Sequence, residues 1–169
     1  MRPLTSRKPK PLLEVLGKPI IEHNLESLRG LVKEVILVVG YGEDAIKSQI
    51  GESYKGIKIK YIHQENQLGT GDAAQKAVKL IDDRFLLLSG DDIYSKNDIK
   101  NCLGKFPCIS LGRGNPSFFG VVGRNTDHIK SFVEKPETAE EDALVNTGLY
   151  YLDKSIFDYN IGKSPRGEY

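Results

Sequence analysis

Residues 57–92 read IKIKYIHQENQLGTGDAAQKAVKLIDDRFLLLSGDD, and their order of patterns decides the fold. Ile57, Ile59 and Tyr61 alternate with Lys58 and Lys60, so 57–62 is predicted as a strand with one polar face. Residues 70–81 follow as a helix, with Ala73, Ala77 and Ile81 as its apolar stripe and Ala74 and Val78 beside it. Thr70 is the expected N-cap, and Asp72 sits favourably in the positive first turn. The run Phe85 to Leu88 is then a short buried strand that ends on Ser89, Gly90, Asp91 and Asp92.

The same alternation extends towards the N-terminus. Residues 19–28 carry Ile21, Leu25 and Leu28 at helical spacing. Residues 34–39 (EVILVV) form a β-branched run closed by Gly40, the pattern of a strand buried on both faces. Residues 43–50 suggest a helix with Ile46 and Ile50 inward. Beyond residue 105 the chain turns β-rich, with strand-like pieces at 107–112, 118–124, 128–134 and 144–152. Turn chemistry stands at Gly114-Asn115-Pro116, and a short helix is expected at 153–159. The expected fold is α/β, a three-layer, mostly parallel sheet with helices on both faces and a β-rich region inserted in its second half.

Composition narrows the function. With 169 residues the chain suits one domain, and 39% hydrophobic with 28% charged residues is ordinary for a globular protein. Lys and Arg number 24 against 23 for Asp and Glu, so net charge gives no reason to expect a nucleic acid or a membrane partner. Any anionic ligand must be held by local basic residues. Cys102 and Cys108 are too few and too close for a disulfide framework, and apolar runs reach only about five residues, far short of a membrane span. A cytoplasmic protein is expected.

In open α/β sheets, ligands bind at the carboxyl ends of strands. That rule selects Gln64 to Gly71, Ser89 to Asp92, and the basic opening RPLTSRKPKPLL (residues 2–13). In the opening, prolines hold four basic residues extended, which suits a polyphosphate; on composition alone a solvated basic terminus is the plainer reading. Gly69 and Gly71 let the backbone approach a flat ligand, and Gln64 carries the donor and acceptor that pair with a base edge; an ordinary strand-to-helix turn is the plainer reading. Asp91, at the end of a rigid strand, is placed as a Mg²⁺ ligand or as a turn residue. Glu134 and Lys135 in VEKP, and Asn146 in NTG, suit sugar hydroxyls and phosphate, although a surface ion pair also explains the first two. His23, His63 and His128 lack metal-ligand spacing, and no arrangement suggests a covalent nucleophile.

Taken in order, RPLT-x₃-PKPLL-x₃-GKP (residues 2–19), QENQLGTGDA, LLLSGD, FGVV (residues 119–122), VEKP, NTGLYYLD and RGEY (residues 166–169) resemble the sugar-phosphate nucleotidyltransferases. The resemblance covers nearly the whole chain and implies a Rossmann-like fold. It implies a nucleotide-binding part over about 1–105 and a sugar-phosphate part over 106–169. It gives Lys10 and Arg2 catalytic roles, Gln64, Gly69 and Thr70 the nucleotide, and Asp91 the Mg²⁺. Gly120, Glu134, Lys135 and Asn146 would hold the sugar phosphate. The implied substrates are a nucleoside triphosphate, UTP or dTTP foremost, and glucose- or N-acetylglucosamine-1-phosphate, joined with release of pyrophosphate. GTP with mannose-1-phosphate is the alternative pair, a non-catalytic nucleotide-sugar-binding homologue is the alternative class, and homo-oligomerisation is left open. Members of this family usually carry a first strand and a GxGxR loop before RPLT, and a second Mg²⁺ carboxylate that would fall beyond Tyr169. The expectation is therefore that the first strand is missing and that the chain alone is catalytically impaired.

Overall fold

The structure, a computed structural model, describes residues 8–126, 128–136, 138, 140–159 and 162. Pro9 is buried and begins a single 3-10 turn over Lys10–Leu12, closed by Leu12 N–H to Pro9 O at 2.9 Å and Leu13 N–H to Lys10 O at 3.0 Å. The described part of the opening segment is extended at Pro9 and Leu13 (ψ 145° and 139°) and curls between them. The curl lets Leu12 reach the core, where it is 5% exposed. Strands β1 (Glu14–Val15) and β2 (Lys18–Pro19) form a small hairpin. Leu16 and Gly17 turn it, both with positive φ, as a tight two-residue turn requires.

Helix α1 (Ile20–Leu28) follows and buries Ile20, Ile21, Asn24, Leu25 and Leu28. Next come β3 (Glu34–Val39), α2 (Glu43–Ile50), β4 (Ser53–Tyr54) and β5 (Ile57–His63). β3 and β5 pair in parallel from Glu34↔Lys58 to Val39↔His63, and β4 lies antiparallel on the far side of β5. Ile57 and Ile59 are buried while Lys58 is exposed, as the alternation predicts. Helix α3 (Thr70–Ala77) is shorter than the expected 70–81. Thr70 starts this helix and does not cap it. Gly69 takes the cap position with φ +97°, a conformation that favours glycine, and no side chain caps the end. The helix buries Ala74 and Ala77, so Ala73 belongs to its half-buried flank.

Strand β6 (Arg84–Leu88) leads to α4 (Lys96–Leu103), then β7 (Cys108–Gly114), β8 (Gly120–Asn125), β9 (His128–Glu134) and β10 (Ala143–Asp153). A 3-10 turn over Lys154–Asp158 matches the short helix expected at 153–159. The second sheet has the order β6-β10-β8-β9, with β7 also on β10, and its pairings are antiparallel. The α/β class with a β-rich second half holds. Parallel pairing among the described residues is confined to β3 and β5, because the long β10 runs antiparallel against β6. β3 and β6 are half-buried rather than buried on both faces. Each has a described ladder on one edge only, so its side chains are packed from fewer sides.

Leu25, Ile57, Ile99 and Leu149 are the most deeply buried large side chains, and they come from α1, β5, α4 and β10. One core therefore joins both sheets. The sequence reading assigns no helix between 92 and 107, yet α4 supplies Ile99 and Cys102 to that core. Its start is marked by Ser95, whose Oγ accepts from Asp98 N–H at 3.1 Å. The apolar residues of KNDIKNCL are too sparse to announce the helix by periodicity.

Replacing Leu12 by Ala should cost about 2–4 kcal/mol, the usual range for a buried leucine. The measurement is the urea midpoint; a midpoint unchanged from that of the parent would show that the opening segment is not part of the core.

Candidate active site

The loops after β3 and β5 meet at Gly40 and Gln64, and the opening segment links the loop after β3 to the one after β6. The Pro9–Leu13 segment crosses two of them. A methyl group on Gly42, in the loop after β3, would meet Pro9 Cγ at 2.7 Å, and one on Gly90 would meet Pro11 Cγ at 3.8 Å. Gly42 itself has φ +74°. Between these two supports the Lys10 Nζ reaches Asp91 Oδ2 at 3.0 Å. Two residues 81 positions apart, selected independently from the sequence, thus meet at the end of β6. Both are about half exposed, 50% for Lys10 and 42% for Asp91, so both are open to a ligand. Asp92 stands next to them. Burial pushes its carboxyl above the usual range, the Asp91 charge adds to this, and Lys10 opposes it. Arg2 lies outside the described residues.

Gln64 continues β5 and is fixed by Val39 O, which accepts its backbone N–H at 2.7 Å. Its Nε2 donates to Asp72 Oδ2 at 2.7 Å, so the acid in the first turn of α3 orients the amide. Gly69 O lies 3.5 Å from the same nitrogen, and Thr70 is exposed beside it. Gly40 backs the group, since a methyl there would lie 3.0 Å from Gln64 O. Gln64, Gly69 and Thr70 therefore form one surface.

The β-rich half builds a second group. Gly120 and Glu134 are cross-strand partners on β8 and β9. A side chain at Gly120 would collide with the Phe132 ring at 2.6 Å and approach Glu134 Oε2 at 3.0 Å. Lys135 has φ +44°, donates its backbone N–H to Phe119 O at 3.3 Å, and places its Nζ 3.9 Å from Glu134. The surface ion pair is present, and its partners remain exposed. Asn146 sits at an irregularity in β10, where the register against β7 shifts between Asn146 and Tyr150. Its Oδ1 accepts from Gly148 N–H at 3.0 Å and its Nδ2 donates to the Tyr150 hydroxyl at 2.5 Å. Burial raises the Tyr150 phenol pKa, so Tyr150 stays a neutral partner.

A cleft of about 380 Å³ takes Asp92 and Asn146 into one lining; Lys10, Asp91, Gln64, Gly69, Gly120 and Glu134 do not line it. Tyr94, Phe119 and Thr147 line it as well. Sequence reasoning missed Asn24, Tyr94 and Tyr150. Asn24 had a signal: it is a polar residue inside the apolar stripe of Ile21, Leu25 and Leu28. Tyr94 and Tyr150 had none, because aromatic residues in a core need no special pattern.

The family model described as Nucleotidyl transferase matches residues 1–169. The bifunctional protein GlmU of Methanococcus maripaludis strain C7 is 39% identical over 171 residues, covering 98% of this chain and 41% of that protein. The UTP–glucose-1-phosphate uridylyltransferase AglF of Haloferax volcanii is 34% identical over 181 residues, covering 100% of this chain and 74% of that one. The fold matches a Bacillus anthracis structure, described as a glucose-1-phosphate thymidylyltransferase in complex with sucrose, with TM-score 0.81 at 23% identity, over 99% of this chain and 72% of that chain. The chain thus spans about two-fifths of the GlmU relative.

Because the Lys10–Asp91 pair is solvent-exposed, Asp91→Ala should change stability by less than about 1 kcal/mol. Thermal unfolding of the variant beside the parent protein checks this, and a larger loss would make the pair a structural strut.

Proposed function

The chain belongs to the nucleotidyl transferase family, and from that premise we propose that it takes part in joining a nucleoside triphosphate to a sugar-1-phosphate. UTP or dTTP with glucose- or N-acetylglucosamine-1-phosphate is the favoured pair. A phosphate oxygen of the sugar phosphate attacks the α-phosphorus, the bond from that phosphorus to the bridging oxygen breaks, and pyrophosphate leaves. Such a reaction needs positioning and charge neutralisation more than covalent chemistry from the protein.

The observation that carries this reading is the meeting of Lys10 and Asp91 at 3.0 Å, one residue from Asp92, which lines the 380 Å³ cleft. The ammonium would hold phosphate oxygens. The donor set also fits Mg²⁺, which takes one or two carboxylates and completes its shell with water and phosphate. Asp91 is exposed at the end of a strand, and no cluster of three or more His, Cys, Asp or Glu among the described residues offers a fuller cage. Mg²⁺, when bound, would spread the charge of the triphosphate. Gln64 and the Gly69–Thr70 backbone would read the base, with Asp72 holding the amide. Gly120, through its backbone, would hold the sugar phosphate with Glu134, Lys135 and Asn146. In this reading the nucleotide side is about 1–105 and the sugar side 106–169, and Arg2 would join Lys10.

Location in the cytoplasm accords with two free cysteines, Cys102 buried and Cys108 half-buried. Among the described residues no helix is long and apolar enough to cross a membrane.

The test is pyrophosphate release by the full-length protein with Mg²⁺, across UTP, dTTP, GTP, ATP and CTP and the glucose-, acetylglucosamine- and mannose-1-phosphates. Release is expected with a uridine or thymidine donor, lost in Asp91→Ala and lowered by about 10²–10³ in Lys10→Ala, as when one electrostatic stabiliser is removed. Release with GTP and mannose-1-phosphate alone would move the substrate assignment. A folded protein that binds nucleotide sugars and releases nothing would make it a non-catalytic homologue.

A further inference from the structure

Asn24 is the one buried polar side chain among the described residues, 7% exposed on the apolar face of α1. A buried carboxamide is costly unless both its ends are bonded. Both are, and both bonds go to the same turn. Asn24 Nδ2 donates to Asp92 O at 2.7 Å, and Asn24 Oδ1 accepts from Tyr94 N–H at 3.1 Å. The turn so gripped is the one that carries Asp91. Tyr94, 6% exposed, extends the chain of bonds by donating its hydroxyl to Thr147 O at 2.8 Å, next to Asn146. Burial raises the Tyr94 phenol to about 12, which keeps it a donor. Helix packing alone would be served by a leucine at position 24. A carboxamide there makes sense only for the backbone it holds.

We propose that Asn24 is a positioning residue: it fixes the Asp91–Tyr94 turn so that the Asp91 carboxylate faces Lys10 and, through Tyr94, stands in register with the Asn146–Gly148 segment. This rests on the transferase reading of Asp91 and adds a residue that touches no substrate. Removing Asn24 would leave Asp92 O and Tyr94 N–H without their partner, and the turn would relax.

The experiment compares the full-length protein with Asn24→Ala, Tyr94→Phe and Leu28→Ala. Leu28→Ala weakens the α1 packing without touching the turn. Mn²⁺ affinity is read by electron paramagnetic resonance, and kcat and KM are read from pyrophosphate release. Asn24→Ala should weaken Mn²⁺ binding and lower kcat by about tenfold or more, the range for residues that orient metal ligands. Tyr94→Phe, which loses only a hydroxyl and keeps the fold, should chiefly raise the KM for the sugar phosphate. Leu28→Ala should lose stability while holding Mn²⁺ affinity near that of the parent. If Asn24→Ala weakens Mn²⁺ no more than Leu28→Ala does, or if the parent protein binds no Mn²⁺, the proposal is overturned. Failure of the parent to turn over any substrate pair would instead strike the transferase reading, and the Mn²⁺ comparison would still decide the role of Asn24.

Discussion

The turn from Ser89 to Tyr94 is the constraint on which the site depends. It must leave β6, present two adjacent carboxylates to solvent, and still satisfy the backbone groups it buries. Three contacts do this. Ser89 N–H donates to Gly148 O at 3.0 Å, and the Asn24 amide takes both Asp92 O and Tyr94 N–H. Gly148 can serve only as glycine: its φ is +74°, and a side chain would collide with Ser89 Oγ and lie 3.0 Å from Tyr94 Oη. The bulge in β10 and the turn after β6 are therefore shaped against each other.

This mutual fit explains how two halves of different character act as one unit. β6 belongs by sequence to the α/β half but pairs with β10 from Leu149↔Leu88 to Asp153↔Arg84. The same strand that seats Leu149 in the core places Asn146 in the cleft lining that it shares with Asp92. A shift of β10 by one residue would turn Leu149 out of the core, so the hydrophobic effect enforces the register that the site requires.

Much of this was legible in the sequence because its signals are local. Alternation in 57–62 and the run 34–39 locate β5 and β3, and the spacing of Ile46 and Ile50 locates α2 within the bounds observed. The candidate site residues could be picked out because ligands of open α/β sheets bind at strand ends. What was not legible depends on distant partners. The half-burial of β3 and β6 follows from which edges carry neighbours, and strand composition does not encode that. The displacement of Thr70 from the cap position follows from the φ of Gly69, and α4 was hidden because its few apolar residues are spread among polar ones. The clamp by Asn24 could be suspected from a polar residue in an apolar stripe, but its partners, 68 and 70 positions away, come only with the fold.

A chain of nearly balanced charge can still hold a polyanion if its free cations are few and well placed. Several lysines here face carboxylates away from the cleft: Lys8 with Glu14, Lys47 with Glu43, Lys55 with Glu26, and Lys60 with Glu34. The Lys55 and Arg29 contacts hold the Glu26 carboxyl down at about 2. Lys10 is also paired, but its partner is a carboxylate that a metal ion could claim. An exposed pair is worth little in itself, so exchanging each member for a phosphate or a metal costs the fold little. The positive charge of Lys10 is then available to a ligand that draws Asp91 away. In the transferase reading, ligand selection would then rest on which ion pair can open more than on net charge.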